Sequence, residues 1–271
     1  MSENPFFKNK NVFITGASSG IGKAAALLLA KKGANIAFTY NSRQEEALTI
    51  KKEIENFGVK AFKFNSDFSN ITDANIKKLF NNVVDSLGNV HILINNAGTV
   101  IRSSSKDVSL ELIEKQMRIN TYVPILLAKE FINFKLNKNL LEDFRPKIIS
   151  ISSMCSFIYM KYAALYAASK TALTQYMKHL AIEYAEHFDI SIISPGLTAT
   201  GLNQKQREEY PEIWKNRENL VPSKNAYTPE DIAEGILYML KSKGVQGADW
   251  VIGSGAQHLD NRFNYFDYIN K

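Results

Sequence analysis

The sequence predicts an α/β fold: a single-domain, Rossmann-type, doubly wound parallel sheet with helices on both faces. Three observations point to it. Short apolar runs alternate with helix-length segments along the N-terminal half of the chain. A glycine-rich turn joins the first apolar run to the helix after it. The 271 residues are 45% hydrophobic, which suits one large domain, 1–271, with a substantial core.

Asn11-Val12-Phe13-Ile14 reads as a short buried strand. Thr15-Gly16-Ala17-Ser18-Ser19-Gly20-Ile21-Gly22 follows, then an Ala/Leu-rich helix over 23–32 and a second apolar strand over 35–40. Gly16 allows the tight exit from the strand, and Gly20 and Gly22 let backbone or ligand approach closely. The free N–H groups of the helix start then suit a pyrophosphate. Gly16, Ser18, Ser19, Gly20, Ile21 and Gly22 are therefore candidate contacts to a dinucleotide.

The second strand ends at Thr39-Tyr40-Asn41-Ser42-Arg43, with none of the acidic residues that bind the ribose of NAD. Ser42 offers a hydroxyl and Arg43 a guanidinium, which suit the 2′-phosphate of NADP. The expected cofactor is NADP(H) rather than NAD(H). Arg43 also reads as a solvated residue opening the next helix.

The alternation continues with a helix over 44–57, a strand over 60–64, a helix over 73–87 and a strand over 91–94. Ligands on such sheets sit beyond the carboxyl ends of the strands, where Asp67, Asn95, Asn96, Ala97 and Gly98 cluster. Asp67 is placed to accept a hydrogen bond from an adenine amino group. The Asn95-Asn96-Ala97-Gly98 run equally reads as a turn that stabilises the sheet.

Tyr166 and Lys170 stand four residues apart, and a serine pair, Ser152 and Ser153, lies upstream. In a helix, positions i and i+4 share a face. The ammonium then favours phenolate, lowering a phenol pKa of about 10. Such spacing also arises on ordinary solvated helices; the glycine turn gives it weight.

Taken together, the Thr15-to-Gly22 turn, Asn95-Asn96-Ala97-Gly98, Asn120, Ser153, Tyr166-x-x-x-Lys170 and Pro195-Gly196 resemble the short-chain dehydrogenase/reductase family across residues 7–255. The resemblance implies a tetrad of Asn120, Ser153, Tyr166 and Lys170. In it Tyr166 is the general acid or base, Ser153 holds the substrate oxygen, and Lys170 lowers the Tyr166 pKa and holds the nicotinamide ribose. Ser153 is preferred to Ser152 because the family's serine lies thirteen residues before its tyrosine. Pro195, Gly196 and Thr198 are implied to lie over the nicotinamide. Pro124, four residues after Asn120 in a long helical run from 110 to about 133, has no N–H for the Asn120 carbonyl. That carbonyl is then available to a water passing protons toward Lys170; a kink that only fits helix to sheet is the other reading.

The remaining features set limits. No stretch of about 18 apolar residues appears, and the start lacks the pattern of a signal peptide. A single cysteine, Cys155, excludes an internal disulfide and reads as a small packed thiol bordering the pocket. The expectation is a cytoplasmic protein acting on a small carbonyl or alcohol, without membrane or nucleic-acid partners. The net charge of +6 comes from dispersed lysines, and the four histidines form no ligand cluster by sequence. The polar segment 203–224 occupies the place of the family's substrate lid, which implies that Trp214 or nearby residues close over the substrate; a plain surface excursion is the other reading. Thr228, Pro229 and Asp231 announce the next helix. The tail 256–271 carries Phe263, Tyr265, Phe266 and Tyr268 and is expected to dock on its own or a neighbouring subunit. The stripe Ala172, Leu173, Tyr176, Met177, Leu180 and Tyr184 fits core packing or the subunit contacts of a homo-oligomer, a dimer or tetramer.

The leading expectation is an NADP(H)-dependent carbonyl reductase or alcohol dehydrogenase, with a 3-oxoacyl thioester or a sugar among its candidate substrates. Lys135, Lys138 and Arg145 offer an acidic carrier protein some contacts, or form a solvated loop. A nucleotide-sensing protein that keeps the fold without turnover is the alternative from another class.

Overall fold

The computed structural model describes residues 5–138, 140, 144–253 and 255. The aromatic tail singled out above lies outside them. Seven strands form one sheet in the order β3-β2-β1-β4-β5-β6-β7, and every neighbouring pair is parallel. In chain order they are β1 (Asn11–Ile14), β2 (Asn35–Tyr40), β3 (Ala61–Asn65), β4 (Ile92–Asn95), β5 (Lys147–Ile151), β6 (Asp189–Pro195) and β7 (Asp249–Ile252). The helices between them are α1 (Gly20–Lys31), α2 (Gln44–Glu55), α3 (Asp73–Leu87), α4 (Leu110–Met117), α5 (Val123–Asn137), α6 (Ala164–Glu183), α7 (Gln204–Glu209), α8 (Pro211–Leu220) and α9 (Pro229–Lys241).

Alternation along each strand divides the core between the two sheet faces. Val12, Ile14, Ile36 and Phe38 pack with α1, α2 and α9. Phe13, Ala37 and Leu93 pack on the opposite face with α3, α5 and α6. Within α6, Leu173, Met177 and Leu180 are buried in that second core, whereas Tyr176 is exposed. Internal packing thus accounts for most of the stripe. Thr228 caps α9 reciprocally with Asp231, and Thr72 does the same for α3 with Asn75.

The long helical run differs from a plain kinked helix. Residues Arg118–Tyr122 form a π-turn between α4 and α5, with the Val123 N–H bonded to the Arg118 carbonyl. Pro124 cannot donate to Asn120, and one wider turn accommodates the lost bond. Strand order reverses direction at β1/β4, since the chain crosses from β3 past β1 to reach β4. The crevice opens there, at the carboxyl ends of the strands.

Candidate active site

A cavity of about 1190 Å³ lies in that crevice. It collects most of the residues singled out by sequence: Gly16, Ser18, Ser19, Gly20 and Ile21 from the turn, Ser42, Arg43 and Asp67 beyond β2 and β3, and Ala97 and Gly98 beyond β4. Ser153, Tyr166, Lys170, Pro195, Gly196 and Thr198 line the other half.

The glycine turn is built for close approach. Gly16 adopts φ +67°, and a Cβ there would stand 2.9 Å from the Ala97 Cα. Gly20 also has positive φ, +57°. At the start of α1, Ser19 is the N-cap but its side chain makes no capping hydrogen bond. The first N–H groups of α1 thus lack a side-chain acceptor, as an anion-binding helix start requires. These features fit a dinucleotide, with the pyrophosphate at the helix start.

Gly22 admits backbone rather than ligand, one of the two approaches expected of it. It is absent from the cavity wall; a Cβ on it would run into Asn96 Nδ2 and come within 2.6 Å of the Gly16 carbonyl. Its bareness serves the packing of α1 against the turn. Asn95 follows the sheet-stabilising reading rather than the cofactor-contact one. It is buried under the site, and its Nδ2 donates to the Pro124 carbonyl at 3.3 Å and to Ser150 Oγ at 3.4 Å. It ties β4 to α5 and β5. The neighbouring Asn96 holds the turn: its Nδ2 donates to the Thr15 and Gly16 carbonyls at 2.9 and 3.0 Å.

Beyond β3, Asp67 accepts from the Ser69 N–H at 2.8 Å, and that bond holds its carboxyl below the usual carboxylate range. Arg43, half-buried beside α2, lies against Gly201: a Cβ there would stand 3.1 Å from one guanidinium nitrogen.

The reacting end is formed by the β5–α6 connection. The two serines part company. Ser152 Oγ turns into α6, bonded to Thr174 Oγ1 at 2.6 Å and to the Lys170 carbonyl at 3.3 Å. Both serines line the cavity, but Ser153 Oγ accepts from the Cys155 N–H at 3.1 Å and hydrogen-bonds with Tyr166. Burial raises the Tyr166 phenol above its ordinary pKa of 10, while hydrogen bonding with Ser153 and the charge of Arg102 draw it back. The expected lowering by Lys170 is not among these influences. Lys170 Nζ instead donates to the Ile151 carbonyl at 2.7 Å, and burial lowers its own pKa from 10.5 to about 8. Burial also pushes up the Cys155 thiol, as suits an inert packed cysteine.

Asn120 lies one layer behind the wall, fully buried. Its Oδ1 accepts from the Thr99 N–H at 2.9 Å, and its Nδ2 donates to the Thr99 carbonyl and to Ser169 Oγ, both at 3.0 Å. Its Oδ1 and Lys170 Nζ both come 3.4 Å from where a Gly98 Cβ would project. The side chain braces α6 against the β4 loop.

The 203–224 segment contains α7 and α8, which its polar composition hid. Val221 seats it on Met154 of the β5–α6 connection. Trp214 does not line the cavity. It is buried within the segment, its Nε1 donating to Glu218 Oε1 at 3.0 Å and its ring 5.8 Å from the Arg207 guanidinium. Gln206, Tyr210 and Arg217 face the cavity instead, and Arg102 reaches it from the β4 loop. No motif marked these four.

A fold of this order, with a nucleotide crevice beside a Ser–Tyr–Lys cluster, defines a dinucleotide-dependent oxidoreductase class. The family described as short chain dehydrogenase matches residues 10–211. The chain is 30% identical to an L-rhamnose 1-dehydrogenase (NADP(+)) of Thermoplasma acidophilum over 86% of its length and 90% of that protein. It is 30% identical to a glucose 1-dehydrogenase of Gluconobacter oxydans over 86% of its length and 85% of that protein. The crystal structure of an acetoin dehydrogenase from Salmonella typhimurium superimposes with a TM-score of 0.82 at 27% identity, covering 94% of this chain and 98% of that one. The chain belongs to the short-chain dehydrogenase/reductase family and is an NAD(P)-dependent oxidoreductase. Among the described residues no helix is long and apolar enough to cross a membrane.

Proposed function

We propose that the protein interconverts a carbonyl and a secondary alcohol using NADP(H), with Tyr166 as the proton donor or acceptor. The observation that carries this reading is the meeting of Ser153, Tyr166 and Lys170 on one wall of the cavity that also holds the glycine turn. The bound nicotinamide would supply or accept the hydride. Ser153 Oγ would hold the substrate oxygen and stabilise the charge that develops there. Tyr166 would donate its phenolic proton to that oxygen in reduction and take it back in oxidation. Lys170, with its pKa lowered to about 8, would hold the ribose hydroxyls. Asn120 would act through Lys170 and Ser169 by bracing α6. Arg43 and Ser42 would engage the 2′-phosphate, a preference that agrees with the NADP(+) in the name of the Thermoplasma relative. The 203–224 segment would close the substrate end, with Tyr210 and Gln206 rather than Trp214 on its inner face.

The test is NADPH oxidation across matched ketones, oxo acids and oxoacyl thioesters, with NADP⁺ reduction across sugars. Tyr166→Phe should retain NADPH binding and lose about 10²–10⁴-fold in turnover. A Tyr166→Phe enzyme with near wild-type turnover would overturn the assignment. Nucleotide binding without turnover across the whole panel would favour a sensor.

A further inference from the structure

Gly201 stands in the connection from β6 to α7 and lines the cavity. Its φ lies outside the left-handed region, so the backbone there accepts an L side chain without strain. Bareness at this position therefore needs a neighbour to explain it. A Cβ on Gly201 would stand 3.1 and 3.2 Å from the two terminal nitrogens of Arg43 and 3.5 Å from the carbon between them. The three nearest atoms thus all belong to one guanidinium. The same stretch lies against the glycine turn, since a Cβ on Gly20 would stand 3.4 Å from Thr200 Cβ.

The two sides of the contact differ in how firmly they are held. The Thr200 N–H donates to Asn203 Oδ1 at 3.0 Å, and Asn203 Nδ2 donates to the Thr198 carbonyl at 2.7 Å. The Leu202 N–H donates to Thr200 Oγ1 at 3.3 Å, and an Arg207 terminal nitrogen donates to the Thr200 carbonyl at 3.2 Å. These bonds pin the backbone on both sides of Gly201. Arg43 reaches the contact on a long stem from the N-cap of α2. Among the described residues no hydrogen bond or ion pair holds its guanidinium. A group added at position 201 therefore displaces the guanidinium and not the backbone.

A guanidinium holds a phosphate through two parallel N–H bonds, and that geometry is lost when the fork shifts. We propose that Gly201 is a positioning residue for Arg43: its missing side chain leaves the guanidinium seated at the cavity and so sets the preference for NADP(H) from the β6 side of the crevice. This rests on the NADP(H) reading given above, in which Arg43 engages the 2′-phosphate. The side chain that selects the cofactor and the residue that seats it then come from opposite halves of the chain.

The experiment is a fluorescence titration of NADPH and of NADH into wild type, Gly201→Ala, Gly201→Val, Arg43→Ala and the double variant of Arg43→Ala with Gly201→Val. The readout is the ratio of the two affinities, which a general loosening of the site leaves unmoved. Gly201→Val should lower the preference for NADPH about tenfold, the lower end of the scale for a charge-assisted hydrogen bond. Gly201→Ala asks for a smaller shift and should lower it less; it carries the same comparison if the valine variant does not fold. Without Arg43 nothing is left to displace, so Gly201→Val should lower the ratio no further in the Arg43→Ala background. An unchanged ratio in the Gly201 variants beside a lowered one in Arg43→Ala would overturn the proposal and leave Arg43 on the 2′-phosphate. A further fall of similar size in the double variant would also overturn it, because Gly201 would then act without Arg43. If Arg43→Ala itself leaves the ratio unchanged, the 2′-phosphate reading fails and takes this inference with it. The titration needs no turnover, so the outcome does not depend on finding the substrate.

Discussion

Lys170 is buried with one hydrogen bond to the Ile151 carbonyl, and its pKa falls from 10.5 to about 8 for burial alone. A depressed lysine pKa means that folding destabilises the charged form. Below about pH 8 the residue is protonated in both folded and unfolded chains, and the full cost applies, roughly 3 kcal/mol. Between pH 8 and 10.5 the unfolded chain binds more protons than the folded one, so stability rises with pH. Lys170→Met keeps most of the volume and removes this titration, at the cost of leaving the Ile151 carbonyl without its donor. The comparison that isolates Lys170 is the pH dependence. Wild type should gain about 2 kcal/mol on the variant between pH 7 and 9.5, by integration over the two pKa values. Urea unfolding followed by tryptophan fluorescence at half-unit pH steps would measure this. Parallel stability profiles for the two proteins would refute the placement of a charged lysine in a desolvated site. Turnover of the variant should be strongly reduced throughout, since the same ammonium is proposed to hold the nicotinamide ribose.

Three further outcomes test other parts of the site. Ser153→Ala should lower kcat by about 10²–10³-fold, the usual loss for a donor to a developing oxyanion, while Ser152→Ala should act mainly on stability, and equal kinetic losses would undo the choice between them. Arg43→Ala should weaken NADPH by about ten- to a hundredfold, as loss of a charge-assisted contact predicts, with NADH little changed in the same fluorescence titration; equal losses for both cofactors would remove Arg43 from the 2′-phosphate. Gly22→Ala forces a methyl against Asn96 Nδ2 and the Gly16 carbonyl and should cost about 1–3 kcal/mol by overpacking, read as a lower urea midpoint, and unchanged stability would show that the turn has slack.

The fold was legible because its signals are local and repeated. β1 and β2 fall on the apolar runs 11–14 and 35–40, and α3 on 73–87, since each run is bounded by turn or capping residues. The interior of 203–224 was less legible. Its helices are short and polar, with Gln204, Glu208, Glu209 and Glu218 on exposed or half-buried positions, so no apolar stripe announced them. Trp214 is the large apolar side chain of the segment. Such a side chain in a thin segment is the one most needed to hold the segment together, and it turned inward against Arg207 and Glu218.

The site shows the same division at finer scale. Spacing and the family resemblance singled out Ser153, Tyr166 and Lys170, and the structure brings all three to the cavity. Neither signal separated the residues facing the cavity from those holding them. Asn95 and Asn96 are identical in type and adjacent in sequence, yet strand alternation sends the first into the core toward Pro124 and Ser150, while the second lies past the end of β4 at the turn. Asn120 carries the argument further. The π-turn created beside Pro124 places this side chain where both of its polar atoms are taken by Thr99 and Ser169. Ser169 in turn bonds the Tyr166 carbonyl at 2.7 Å. The proline therefore acts on Tyr166 through a chain of hydrogen bonds that fixes α6, so a substitution at position 120 should disturb the orientation of Tyr166 and Lys170 before it disturbs any proton path.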